Sequence, residues 1–408
     1  MNTKIKSLFN IKGYPLLGIC LLLVGTGVSI SLPYVSLYLT ENMGISAGAF
    51  GIFMALSQLS GVFVNSFFAK RSDKGMSRKW IVLIALFSQT LGYASYLVFG
   101  NFIFLLIAFT FFSGFGAPAI PQIFAYAQES TNESNFENKK LALFLLRSLV
   151  SLGVLSGPLL GTVLIEQFGY TGLFKVTSII FLINILLVLL FLKERKKIRT
   201  NEPNIEQNNN SLVKNKKLRL MFISFVVLFT VNAVNFINTP LFIIKELGGV
   251  HSDVGLVFGI SATLEIPIML LLGVLGKKFS NHTILIIGSL IAISYFAIVS
   301  VSTHSWHLMA AQILMASFTA ILLGNGLSYF NELLPESPGV AASMHANSDI
   351  FGRILGSVGA GVIADFAGFR VVNIVCFTII FFSLFILWKT KPQNEISVST
   401  ENGHSINL

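Results

Sequence analysis

The sequence predicts an all-α membrane protein with twelve transmembrane helices in two six-helix bundles and both termini cytoplasmic. Composition is the first reason. Apolar residues make up 54% of the 408 and charged residues 11%, with a mean hydropathy of +0.77, a balance that no soluble domain of this size hides in one core. Spacing is the second. Long apolar stretches recur along the whole chain and fall into two sets of six around a charged, Asn-rich insert from Lys193 to Lys217.

A crossing needs about 20 mostly apolar residues. The first stretch, 13–39, follows Lys4, Lys6 and Lys12 as a signal peptide would. It runs too long for an h-region and lacks a small-residue cleavage site, so it reads as a retained helix. Stretches 46–69, 80–99, 102–127, 140–165 and 172–192 complete an N-terminal bundle over 1–192. The insert 193–217 carries Asn208, Asn209 and Asn210 without a helical apolar period, and reads as a flexible cytoplasmic linker. Stretches 218–244, 252–276, 283–302, 306–331, 338–364 and 369–388 make a second bundle over 218–390, with 391–408 as a cytoplasmic tail.

Net charge is +10, which raises the question of a nucleic-acid partner. Position answers it. Lys and Arg concentrate in the N-terminal tail, at Lys70 to Lys79, at Lys139 and Lys140, from Lys193 to Arg219, at Lys277 and Lys278, and at Lys389 and Lys391. Only Lys175, Lys245 and Arg370 fall in loops of the other side. The positive-inside rule therefore puts both termini in the cytoplasm of a multi-pass plasma-membrane protein whose basic charge needs no nucleic acid. Trp80, Trp306 and Trp388 fall at stretch ends, where amphipathic rings suit the headgroup level. Cys20 and Cys376 lie inside apolar stretches and suggest neither a disulfide nor a metal site. His304 and His307 are three apart but lack an acidic third ligand, so neither metal nor cofactor is predicted.

The halves echo each other. Gly44 and Gly51 match Gly248 and Gly255, with Ser57 and Ser261 six residues further on in each half. V-L-I-E-Q-F-G-Y (Val163 to Tyr170) parallels V-I-A-D-F-A-G-F (Val362 to Phe369). A parallel repeat of six-helix bundles is the outline of a secondary transporter. A non-transporting membrane sensor is the alternative of another class, but it calls for a substantial soluble domain. A membrane enzyme calls for clustered His or carboxylates near the interface.

Charges are costly in the bilayer, so the intramembrane ionisable residues are the first candidates for function. They are Arg147, Glu265, Asp349 and Arg353. Glu265 sits mid-span in T-L-E-I-P-I-M with no basic residue within a turn. It can carry a proton, or stay protonated and hydrogen-bond a neighbouring helix or a sugar hydroxyl. Asp349 and Arg353, four apart, either neutralise each other or extend with His345 into a proton relay. Arg147 has no local carboxylate. It can hold substrate, pair with Glu265 or Asp349 as a gate, or snorkel to the interface. Polar uncharged residues, Gln58, Asn65, Gln122 beside Pro118 and Pro121, and the strip Asn232, Asn235, Asn238 before Pro240, suit a cavity for a neutral hydroxylated ligand, and equally glue helices together. Gly153, Gly157, Pro158 and Gly161 allow close approach and bending.

The charged loop A-K-R-S-D-K-G-M-S-R-K (Ala69 to Lys79) and G-V-L-S-G-P-L-L-G (Gly153 to Gly161) resemble the major facilitator superfamily and the fifth-helix motif of its proton-driven exporters. I-P-Q-I-F-A-Y-A-Q-E (Ile120 to Glu129), the Leu146-Arg147 pair and L-E-I-P (Leu264 to Pro267) resemble its bacterial sugar efflux family. The resemblance spans nearly the whole chain. It implies the major facilitator fold, alternating access, and proton-driven export of sugars or glycosides by a monomer, with Arg147 and Glu265 as site residues. It also makes Asp73, with Arg71, Arg78 and Lys79, a cytoplasmic latch. Multidrug/proton antiport is the neighbouring alternative. Asn238 stands where the family pattern has Asp, and Asp349 and Arg353 stand where relatives are apolar or small, which points to a relocated proton site or a different coupling. Glu265 is the first expected protonation site and Asp349 the second. Gln122, Asn235, Asn238 and Arg353 join Arg147 as substrate or gate residues.

Overall fold

The structure, a computed structural model, describes Leu8, Ile11 and residues 13–73, 75–134, 139–194, 216–275, 279–335 and 337–390. The expected linker and C-terminal tail lie almost entirely outside the described residues. Among the described residues twelve α-helices follow one another, the first continued by a π-helical turn at Tyr38–Asn42: α1 (Tyr14–Leu37), α2 (Ala47–Asp73), α3 (Arg78–Val98), α4 (Phe102–Gly116), α5 (Ala119–Asn132), α6 (Lys139–Phe191), α7 (Lys216–Lys245), α8 (His251–Leu275), α9 (Asn281–Val301), α10 (Ser305–Leu333), α11 (Pro338–Ala367) and α12 (Phe369–Lys389). No strand occurs among the described residues.

These helices are not one-to-one with the expected stretches. Among the described residues, eleven segments are long and apolar enough to cross a membrane. The stretch expected at 102–127 is a single segment broken into α4 and α5 at Ala117 and Pro118, because proline has no N–H to continue the ladder. In the opposite sense, α6 runs through 53 residues, and only Gly169 leaves helical geometry (φ 64°, ψ −172°). The two arms of α6 run in opposite directions. Before Gly169 the chain climbs beside α1, with Gly153 against Leu22 and Thr26, Gly157 against Ser29, and Gly161 against Ile30 and Tyr34. After Gly169 it descends, with the Thr177 hydroxyl 2.8 Å from that of Ser31 and Asn184 Nδ2 donating to the Cys20 carbonyl at 3.0 Å.

Glycine turns mark corresponding points of the two halves. Gly44 (φ 65°) and Gly248 (φ 64°) enter α2 and α8, while Gly169 and Gly368 (φ 88°) separate the paired arms. These are the glycines of the sequence echo, and each adopts the left-handed backbone that a side chain resists.

Helices α1–α6 pack chiefly on one another, as do α7–α12. The sets meet where α2 lies on α11 and α6 on α8, with a smaller α1–α7 contact. The contact is itself repeated: Gly51 of α2 lies under the backbone of Ser357 and Val358, and Gly255 of α8 lies under Thr162 and Tyr34. Small residues let backbones approach closely where no hydrophobic effect drives association. Several bonds across the halves sit near the glycine-turn end, where Gly48 N–H donates to Asp365 Oδ2 at 2.9 Å and Tyr170 Oη lies 2.9 Å from His251 Nε2. Two to three turns deeper, Gln58 Nε2 donates to Ser357 Oγ at 3.3 Å.

Candidate functional site

The four intramembrane charges occupy three different situations. Glu265 is half-buried on α8 and has no hydrogen-bond or ion-pair partner among the described residues. It shares a face with Val254, Phe258 and Ser261, spaced i, i+4, i+7 and i+11. Phe258 on that face stacks on Phe236 of α7 with centroids 5.5 Å apart, so the face looks toward α7. From His251 to Glu265 the helix rises ~21 Å, and from Ser305 to Thr319 on α10 and from Ala367 to Arg353 on α11 also ~21 Å, which puts these residues at one level.

Asp349 and Arg353 are joined to each other. Arg353 Nε donates to Asp349 Oδ1 at 2.8 Å, and Nη2 closes a short second bond to Oδ2. Arg147 is exposed, its guanidinium 5.9 Å from the centre of the Phe124 ring, with no ion-pair partner among the described residues. Neither Glu265 nor Asp349 is brought to it in this conformation. His345 lies one turn before Asp349 on α11, with Nε2 3.5 Å from the Leu322 carbonyl. Its ring packs edge-on against Phe229 at 5.3 Å, with Phe225 and Phe330 around it.

Most of the amide strip is used inside one half. Asn235 Oδ1 accepts from Tyr295 Oη at 2.7 Å and Thr239 Oγ1 at 2.9 Å. Asn238 Nδ2 donates to the Phe369 carbonyl at 3.0 Å and to Asn373 Oδ1 at 3.1 Å, tying α7 to α12. Both are buried, and both act as joints between helices. Asn232 is half-buried, with Nδ2 donating to Thr319 Oγ1 at 2.9 Å. Gln122 is buried and accepts at Oε1 from Arg78 Nη1 at 3.0 Å, while Arg78 Nε donates to Glu129 at 2.8 Å. The residues of the expected latch thus make their described contacts within the first half. Lys79 Nζ donates to the Leu189 carbonyl at 3.0 Å, and Arg71 lies over the Phe67 ring. The Asp73 side chain lies outside the described residues. Arg78, Lys79 and Glu129 also line a small cavity with Gly75, Met76 and Tyr126.

The fifth-helix motif packs on α1. Tyr34 Oη donates to the Pro158 carbonyl at 2.8 Å and lies 2.5 Å from Thr162 Oγ1. A counterpart not singled out from the sequence exists on α11, where Gly352 and Gly356 lie under Phe229, Thr230 and Ala233 of α7 as Gly153 and Gly157 lie under Thr26 and Ser29 of α1. The signal was present: with Gly169 aligned on Gly368, Gly153 and Gly157 fall on Gly352 and Gly356. No cluster that could hold a metal ion occurs among the described residues.

The sequence profile of the Major Facilitator Superfamily matches residues 17–291 and 220–406. Sugar efflux transporter C of Escherichia coli (strain K12) is 30% identical to the chain over 346 residues, covering 84% of this chain and 87% of that protein. The chain belongs to the major facilitator superfamily, in its bacterial sugar efflux transporter family. Sugar efflux transporter A of Dickeya chrysanthemi is 26% identical over 371 residues, covering 90% and 93% of the two chains. A mutant of the nucleoside transporter NupG, in its crystal structure, superposes with a TM-score of 0.81 over 93% of this chain and 100% of its own. At 15% identity this last match is a likeness of fold alone. As a superfamily member the chain is a multi-pass membrane transporter.

Proposed function

We propose that this protein exports sugars or glycosides across the plasma membrane in exchange for protons, by rocking of its two halves around a midplane cavity. The observation that carries the reading is Glu265. It is half-buried at the level of Asn232, Thr319 and Arg353, faces α7, and has no partner among the described residues. A carboxylate left unpaired at membrane depth is costly and is kept for work with protons or substrate. Asp349 is compensated by Arg353, which makes it the second choice. Arg147, exposed in the other half, is the substrate or gate residue that Glu265 or a ligand meets during rocking.

In this reading the reversal at Gly169 divides α6 into two crossings, so that eleven segments become twelve and both termini lie on one side. The Lys and Arg distribution makes that side cytoplasmic. The glycine-turn end is then the outer end, and the contacts described there belong to an outward-closed state. The names of the relatives supply the substrate class, and the unpaired Glu265 supports the coupling. The chain covers most of the length of each relative, so nothing in the comparison splits the activity from the fold.

Inverted vesicles containing the protein, with an acidic interior, test this reading. Collapse of the pH gradient on adding lactose or alkyl thiogalactosides, absent in Glu265→Gln, is expected. Collapse by cationic dyes and not by sugars overturns the substrate class and makes the protein a multidrug antiporter. Sugar-induced collapse of the pH gradient that is unaltered in Glu265→Gln overturns the role of the carboxylate.

A further inference from the structure

One ring on α7 stays exposed in the middle of an otherwise buried stretch. Helix α7 is ringed by α1, α8, α10, α11 and α12. Between Val231 and Ile243 the residues are buried except half-buried Asn232 and exposed Phe236, which keeps 41% of its surface. Lipid-facing phenylalanines elsewhere, such as Phe104 and Phe111 on α4, stand among other exposed apolar residues. Phe236 does not. With protein on every side of its helix and buried turns toward the glycine-turn end, its free surface opens into interior space.

The ring is also held in place. Phe258 of α8, 5% exposed, stacks on it with an interplanar angle of 18° and centroids 5.5 Å apart. A ring fixed before a ligand arrives loses little freedom on binding. One turn along the same face of α7, Asn232 spends Nδ2 on Thr319 and keeps Oδ1 as an acceptor. Two turns from Phe258, ~10 Å along α8, comes the unpartnered Glu265 carboxyl.

A flat apolar ring flanked by an amide and a carboxyl matches a pyranose, which has a C–H face for the ring and hydroxyls at its rim for the polar groups. We propose that Phe236 is the platform on which a pyranose ring of the transported sugar stacks, with Asn232 and Glu265 bonding its hydroxyls. The inference rests on the sugar-transport reading above and adds to it the residue that selects a ring. The negative face of the aromatic quadrupole attracts the C–H face of a cyclic sugar. An acyclic polyol with the same hydroxyls presents no such face. Phe236 is therefore a specificity residue that favours pyranosides over polyols.

The test uses the full-length protein in proteoliposomes, with methyl β-thiogalactoside and galactitol as probes and Phe236→Leu, Phe236→Tyr and Phe236→Trp as variants. Wild type prefers the thiogalactoside. Phe236→Leu weakens its apparent affinity about five- to tenfold and erases the preference over galactitol, while Phe236→Tyr keeps both. In Phe236→Trp, the thiogalactoside shifts the indole emission and galactitol does not. An unchanged preference in Phe236→Leu, or transport by Phe236→Trp without an emission shift, overturns the platform and leaves sugar transport standing. Wild type that moves neither lactose nor thiogalactosides in the vesicle assay overturns the sugar reading, and the platform falls with it.

Discussion

Tyr170, the first residue past the Gly169 reversal, shares a 2.9 Å hydrogen bond with His251 at the start of α8, joining one half of the protein to the other. The phenol has one proton, and it goes to Glu41 Oε2 at 3.1 Å. His251 Nε2 is then the donor to Tyr170, and the three side chains close on themselves, with His251 3.8 Å from Glu41. The proposed rocking has to break this cluster. Tyr170→Phe removes both phenol bonds, so about 1 kcal/mol of support for the closed end is lost and the closed-to-open ratio falls about fivefold. Spin labels on cysteines placed at Asn42 and Val250, one on each half, read the change as a population at longer distance. Both native cysteines are buried, which keeps the background low. An unchanged distance distribution in Tyr170→Phe contradicts the assignment of this cluster as a latch.

The glycines that seat α6 on α1 and α11 on α7 are predicted to be equivalent in cost. A Cβ at Gly157 meets Ser29 Cβ at 2.7 Å, and one at Gly356 meets the Thr230 carbonyl at 2.7 Å. Gly359, on the same helix as Gly356, has nothing within 4 Å of the added carbon. Gly157→Ala and Gly356→Ala should each destabilise by about 1–3 kcal/mol through overpacking, and Gly359→Ala should not. Thermal unfolding in detergent separates them. Helix propensity alone favours alanine over glycine, so a loss in Gly359→Ala equal to the other two would refute close approach as the cause.

What could be read from the sequence divides along physical lines. The segments were legible because a membrane imposes length and apolarity directly, and Gly44 with Gly248, and Gly169 with Gly368, were legible because each turn needs the same backbone. The break at Pro118 was hidden inside a continuous apolar stretch. Helix rotation was not legible at all. Asn232, Asn235 and Asn238 look alike in a strip, yet the latter two point at Tyr295 and Asn373 and only Asn232 flanks interior space. Phe236 was one of 38 phenylalanines, and only its neighbours' burial sets it apart. Gln122 read as a cavity amide because its partner, Arg78, comes from a loop end 44 residues away.

Arg78 is the next residue whose geometry makes a sharp claim. Its guanidinium spans two acceptors, Glu129 through Nε and buried Gln122 through Nη1. A lysine places one ammonium and cannot occupy both positions at once. Arg78→Lys should therefore leave the Gln122 oxygen unsatisfied and cost about 1–3 kcal/mol. Glu129→Gln keeps an acceptor for Nε and should cost less. Unfolding midpoints of the two variants provide the check, and full stability in Arg78→Lys would refute the two-acceptor account.

Asp349 and Arg353 offer a clean separation of neutralisation from function. The pair is two-pronged and local, i to i+4, with the arginine side chain 55% exposed and the aspartate 22%. Solvent exposure limits the pair itself to about 0–1 kcal/mol. Removing one member at this depth is a different matter, since an uncompensated charge at mid-membrane costs roughly 2.5–3.5 kcal/mol on insertion scales. Arg353→Gln and Asp349→Asn alone should each lower stability and yield, and the double variant should recover much of the loss. The sign of that non-additivity is the measurable quantity in a double-mutant cycle. If the pair exists to cancel its own charge, thiogalactoside exchange survives in the double variant. If exchange is lost while stability returns, Asp349 takes part in transport, and the protonation site proposed at Glu265 has to be shared with it.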